Sequence, residues 1–186
     1  MERNIIGKNH NSIGVAPAII LINPKYQRNV SMIKRIASCY GIKQIWYTGN
    51  RVSLEPEKGK RLPREERMRG YKDVELINFD YPLEQFDNVV PIGVEILPGA
   101  QPLFDYEHPE NAVYLFGPED GEINQTWRRH CHDFVFIPTK HCLNLATTVS
   151  AVMYDRACKL YKMGSITTTE LYQILEEDRG FMESET

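Results

Sequence analysis

Apolar residues run unbroken for four to six positions at several points of the chain and recur at intervals of three and four at others. Ala18 to Ile22 (AIILI) has no polar alternate, the pattern of a strand covered on both faces. Gln44–Thr48, Val74–Phe79, Val89–Ile96, Ala112–Phe116 and Asp133–Ile137 read as five further strands, the last closed by Pro138. Between them, Val30, Ile33, Ile36, Ala37 and Tyr40 line one side of a helix from Asn29 to Tyr40, stopped by Gly41. Leu145, Val149, Val152, Met153, Ala157, Leu160 and Tyr161 predict a long helix to about Lys162. Thr167 and Glu170 have capping-box spacing for a last helix. Strands alternating with helices predict an α/β domain whose mostly parallel sheet is flanked by helices.

The organisation expected is a lead over residues 1–17, a domain over 18–178 and an acidic tail over 179–186. With 42% hydrophobic and 25% charged residues, the chain has the makings of a real core, which excludes a disordered or collagenous protein. The opening residues lack an apolar signal core, no apolar run approaches membrane-spanning length, and the four cysteines include no CxxC pair. A cytoplasmic protein with reduced thiols and no membrane partner is the expectation.

The net charge of -3 hides an asymmetry. Between Lys58 and Lys72, Lys58, Lys60, Arg61, Arg64, Arg67, Arg69 and Lys72 stand against only Glu65 and Glu66, so this segment is strongly cationic on an acidic body. Such a run is either a solvated face or a phosphate-attracting loop, and the two readings are evenly matched.

Three other segments could carry chemistry. Asn29 and Arg35 stand six positions apart at the start of the first helix, where Asn29 suits an N-cap and Arg35 a solvated helix position. Phe116-Gly-Pro-Glu-Asp-Gly121 turns sharply at the carboxyl end of a strand, where open α/β sheets bind ligands. It has neither dinucleotide-fingerprint nor P-loop spacing. Ile137-Pro-Thr-Lys-His-Cys-Leu-Asn-Leu145 leads from a strand into the long helix. The nearby His130, Cys131, His132, His141 and Cys142 lack ligand spacing, so no metal is expected.

In this order, Asn29…Arg35, FGPEDG (Phe116 to Gly121) and IPTKHCLNLATTVSAVMYD (Ile137 to Asp155) resemble the three motifs of the SPOUT superfamily. More narrowly, they resemble its SpoU/TrmH branch, the S-adenosylmethionine-dependent RNA 2′-O-ribose methyltransferases, over about Ala18 to Tyr161. The resemblance implies a deep C-terminal trefoil knot and a cofactor held by Val94, Glu95, Gly117, Ile137, Cys142 and Leu145. It implies a catalytic set of Arg35, Asn29, Glu119 and Asn144, and a homodimer with the long helix in its interface. The RNA expected is transfer RNA ahead of ribosomal RNA, engaged by Lys58, Lys60, Arg61, Arg64, Arg67 and Arg69. Two alternatives stay open: a base-methylating enzyme, and a non-catalytic RNA-binding protein of the same fold. The third motif commonly reads Ser-Leu-Asn; here it is Cys142-Leu143-Asn144, which exchanges a hydroxyl for a much weaker donor.

Overall fold

The structure is a computed structural model that describes residues 17–53 and 70–179. Seven strands form one parallel sheet: β1 (Ala18–Leu21), β2 (Gln44–Tyr47), β3 (Glu75–Asn78), β4 (Val90–Val94), β5 (Gln101–Pro102), β6 (Ala112–Phe116) and β7 (Asp133–Phe136). Their order across the sheet is β3-β2-β1-β6-β4-β7-β5. The two-residue β5, too short to leave a hydrophobic pattern, is the strand that periodicity does not predict. The FGPEDG turn therefore follows the sixth strand.

The described residues also form the α-helices α1 (Gln27–Cys39), α2 (Gln125–Arg128), α3 (Leu145–Lys162) and α4 (Thr168–Arg179), with three short 3-10 turns in the connections. Alternation along the central strands divides the core in two. Ile19, Leu21, Tyr114 and Phe116 face α1 and α3, joining Val30, Ile33, Val149, Val152 and Met153 in one buried cluster. Ile20, Ile22, Val113 and Leu115 face the other way and pack with Trp46 and Ile123. Both faces of β1 and β6 are thus covered, which is why their sequences show no polar alternate.

The helix ends follow their sequence signals, with one correction. Gly41 has φ 72°, which leaves Ile42 N–H free to donate to Ala37 O at 3.0 Å in a Schellman closure of α1. Thr167 and Glu170 form a reciprocal capping box: Thr167 N–H donates to Glu170 Oε2 at 2.7 Å and Glu170 N–H to Thr167 Oγ1 at 3.2 Å. Asn29, however, is no N-cap. The helix starts earlier, with Tyr26 at the cap, and Asn29 lies inside its first turn with a buried side chain. That displacement frees its amide for other work.

Candidate active site

The strand order brings four loops to one edge of the sheet. After β1 comes Ile22–Tyr26, after β4 Glu95–Gly99, after β6 Gly117–Ile123, and after β7 Ile137–Asn144. Between the last three lies a cleft of about 170 Å³. Val94, Glu95, Gly117, Ile137, Cys142 and Leu145 all line it, as does Glu119. Phe116, Phe136 and Leu145 make an apolar floor, and Thr139 braces the rim by donating its hydroxyl to His141 O at 2.8 Å.

The Glu95 carboxylate is held in place by backbone donors, Ile96 N–H and Ile123 N–H, each at 3.0 Å. Gly117 sits directly against this arrangement. A Cβ there would lie 3.2 Å from Ile123 N and 3.4 Å from Glu95 Oε2, so the lack of a side chain keeps both the turn and the cleft open.

Beside the cleft, three residues named from the motifs form one hydrogen-bonded relay. Asn29 Nδ2 donates to Glu119 Oε1 at 2.8 Å, and Asn144 Nδ2 donates to Asn29 Oδ1 at 2.9 Å. Asn144 Oδ1 in turn caps α3, accepting from Ala146 N–H at 2.9 Å and Thr147 N–H at 3.4 Å. Glu119 also accepts from the backbone N–H groups of Lys25 and Tyr26, at 2.8 and 3.3 Å. Because an ionised carboxylate only accepts, Glu119 fixes the orientation of the Asn29 amide, which then fixes that of Asn144.

Arg35 stands apart from this relay. Almost two turns further along α1, its guanidinium donates to Ser38 Oγ at 3.3 Å and lies beside Gly70. Within a single chain, then, the structure unites Asn29, Glu119 and Asn144 but not Arg35. The basic residues Lys58, Lys60, Arg61, Arg64, Arg67 and Arg69 lie outside the described residues.

Next to the relay sits a charged cluster that joins Asp120 of the FGPEDG turn to two cations outside the motifs. Asp120 accepts from Arg51 Nη1 at 2.9 Å and from Lys25 Nζ at 3.0 Å, and these two cations hold its carboxyl down to about 2. Arg51 also donates to Asn23 O through Nη2 at 2.6 Å. Lys25 and Arg51 belong to irregular loops, where no periodicity marks a residue in advance. The cysteine and histidine run has a structural role at Cys131, whose thiol is pushed up to about 11 by burial under the sheet. Among the described residues, no group of three or more His, Cys, Asp or Glu is placed to hold a metal ion. None of their helices is long and apolar enough to cross a membrane.

The family model described as the SpoU rRNA Methylase family matches residues 16–154, three quarters of the chain and all of the site just described. The chain belongs to this family. No curated protein sequence matches it. Among solved structures it is similar to the SpoU methyltransferase AviRb from Streptomyces viridochromogenes in complex with AdoMet. There the identity is 20% and the TM-score 0.63, over 76% of this chain and 59% of AviRb. This SpoU-family chain therefore spans about three fifths of the length of AviRb. It is similar along nearly its whole length to the A. aeolicus TrmH/SpoU tRNA modifying enzyme, at 14% identity and TM-score 0.67, covering 94% of both chains. A third similar structure concerns the 2-OH methylation of C/U34 on tRNA: 21% identity, TM-score 0.64, 77% of this chain and 95% of that one. At these identities the similarity establishes the fold, and the chemistry has to be argued from the residues.

Proposed function

We propose that this SpoU-family protein is an S-adenosylmethionine-dependent RNA methyltransferase that modifies a ribose 2′-hydroxyl, with transfer RNA as substrate. The observation that carries the reading is the contiguity of the cleft with the Asn29–Glu119–Asn144 relay: Glu119 belongs to both, and the relay joins one residue from each of the three motif segments. The cleft suits the cofactor. Its floor is apolar, Gly117 leaves room for close approach, and the strand-end loops offer backbone groups to a polar ligand. Val94, Glu95, Gly117, Ile137, Cys142 and Leu145 would hold it. Bound there, the cofactor supplies an activated sulfonium methyl.

The chain's own task is to align a hydroxyl with that methyl and ease removal of its proton. The relay supplies a rigid edge at which Glu119 and Asn144 position the ribose. The guanidinium of Arg35 stabilises the developing alkoxide electrostatically; it is far too basic to act as a simple proton acceptor. Since Arg35 does not join the relay of its own chain, it serves the site of a second copy. Tyr154, Tyr161 and Met163, at 64%, 47% and 71% exposure along and just beyond α3, favour a homodimer through this helix. The placing of β6 between β1 and β4, and of β7 between β4 and β5, fits the trefoil knot that the motifs imply. Transfer RNA is favoured by the similarity, over 94% of both chains, to the A. aeolicus TrmH/SpoU tRNA modifying enzyme.

The test is methyl transfer from labelled S-adenosylmethionine into unmodified transfer and ribosomal RNA, followed by nucleoside digestion. Label in a 2′-O-methylnucleoside from transfer RNA is the expected result. Label in a base, or none despite cofactor binding by the dimer, would overturn it.

A further inference from the structure

A second cleft, of about 690 Å³, opens on the sheet face opposite α1 and α3. Its lining includes Thr48 and Asn50 from the end of β2, Asp80, Tyr81 and Glu84 from the connection after β3, and Trp127 of α2. The motif residues contribute nothing to it. Part of its wall is locked. Asn23 N–H donates to Thr48 Oγ1 at 3.0 Å, and Asn78 Nδ2 to Gly49 O at 2.8 Å. The polar groups of Asn50, Asp80, Tyr81 and Glu84 are different: among the described residues they make no side-chain hydrogen bond. Thr48, 7% exposed, accepts from Asn23 N–H and lines the cavity.

The geometry points to a nucleobase pocket for the RNA substrate, selective for guanine at a position flanking the methylated nucleotide; this rests on the RNA-methyltransferase reading above. Aromatic side chains of Trp127 and Tyr81 suit a flat heterocycle, since every base has a face to stack. Carboxylates of Asp80 and Glu84 accept hydrogen bonds and repel phosphate, so the base enters and the backbone stays outside. Guanine offers two neighbouring N–H donors on one edge, a match to a carboxylate that uracil, with one ring N–H, does not make.

The ground between the two clefts is where the backbone belongs. Asp120 stands between Glu119 and Gly121, which line the first cleft, while Arg51 follows Asn50, which lines the second. Lys25 and Arg51 meet there on Asp120, two cationic side chains within reach of a backbone phosphate. Strand spacing alone separates the two clefts by about 10–14 Å across the sheet, which suits neighbouring nucleotides rather than one filling both.

The experiment titrates the full-length protein with guanosine and with uridine, following tryptophan fluorescence, and measures RNA methylation by Asp80→Asn and Glu84→Gln. Both residues are exposed, so the variants keep the fold; Trp127→Phe identifies the reporting ring. The expected result is saturable quenching by guanosine, about tenfold tighter than by uridine, with the difference lost in either carboxylate variant. The same variants raise KM for RNA and leave the cofactor Kd unchanged. Equal binding of the two nucleosides, or discrimination that survives both variants, overturns the pocket. If guanosine discrimination is present but no RNA is methylated, the methyltransferase reading fails and the pocket stands. If RNA is methylated with KM unchanged in both variants, the pocket fails and the methyltransferase reading stands.

Discussion

Replacing Asn29 with aspartate changes one NH2 group to oxygen and so isolates the central bond of the relay. The wild-type amide is 6% exposed and donates to Glu119 Oε1 at 2.8 Å while accepting from Asn144. Asn29→Asp retains the acceptor but faces Glu119 with a second carboxylate at hydrogen-bond distance. Losing a bond to a charged group costs about 1.5–3 kcal/mol. Leaving buried charge uncompensated brings the total to about 3–5 kcal/mol at pH 7.5. For a chain of this size that lowers Tm by about 6–20 °C. The sign of the pH dependence is fixed by the new pair, whose shared site raises one carboxyl pKa. A raised pKa destabilises above it and ceases to do so as pH falls and the pair takes up a proton. The gap from wild type therefore narrows on acidification, by about 1.4 kcal/mol per pH unit through that range. Thermal and urea unfolding at pH 7.5, 6.5 and 5.5 measure it. A variant that melts within about 2 °C of wild type at pH 7.5, or whose deficit is the same at all three values, would refute the relay as an energetic unit.

Other consequences are as concrete. Gly117→Ala places a methyl 3.2 Å from Ile123 N, and should cost about 1–3 kcal/mol together with most cofactor affinity, measured by calorimetry. Cys142→Ser puts a better donor on the cleft wall at an exposed position; cofactor Kd should tighten by about two- to tenfold with Tm unchanged. His108, enclosed by Tyr114 and Asp155 at 2.5 and 2.7 Å, is lowered to about 4 by burial. It stays neutral in the fold while the unfolded chain takes up a proton below about 6.5, so stability is lost as pH falls. Between pH 6.5 and 5 the loss should reach about 2 kcal/mol by urea unfolding, and His108→Gln should abolish that slope. Arg35→Ala should keep cofactor affinity and cut turnover at least about a hundredfold, since transition-state electrostatics are at stake; near-normal turnover would remove Arg35 from the mechanism.

What the sequence reveals here depends on range. The central strands were legible because covering both faces leaves apolar runs, and α3 because one of its faces is buried. Asn29 shows the limit. Position along the helix suggests a cap, but the actual cap is Tyr26, and the partners of Asn29 lie at Glu119 and Asn144. Nothing local encodes those contacts; only the joint order of three motifs pointed to them. Strand β5 and helix α2 are too short to set up any period. Lys25, Arg51 and the second cleft depend on loops meeting across the sheet, which periodicity does not describe.

The bond between Asn144 and Asn29 joins positions 115 residues apart, and the segment between them includes β6, which lies between strands made earlier in the chain. Contacts this distant form only after the intervening loops have closed, so they slow folding and come late in it. During synthesis the first helix and strands exist without their reactive edge, and the relay closes only when residue 144 has emerged and docked. A chain that ends before residue 144 cannot close the relay, and it also lacks the α3 side chains that cover one face of the sheet. Chemical competence becomes a report that the far end of the chain has arrived.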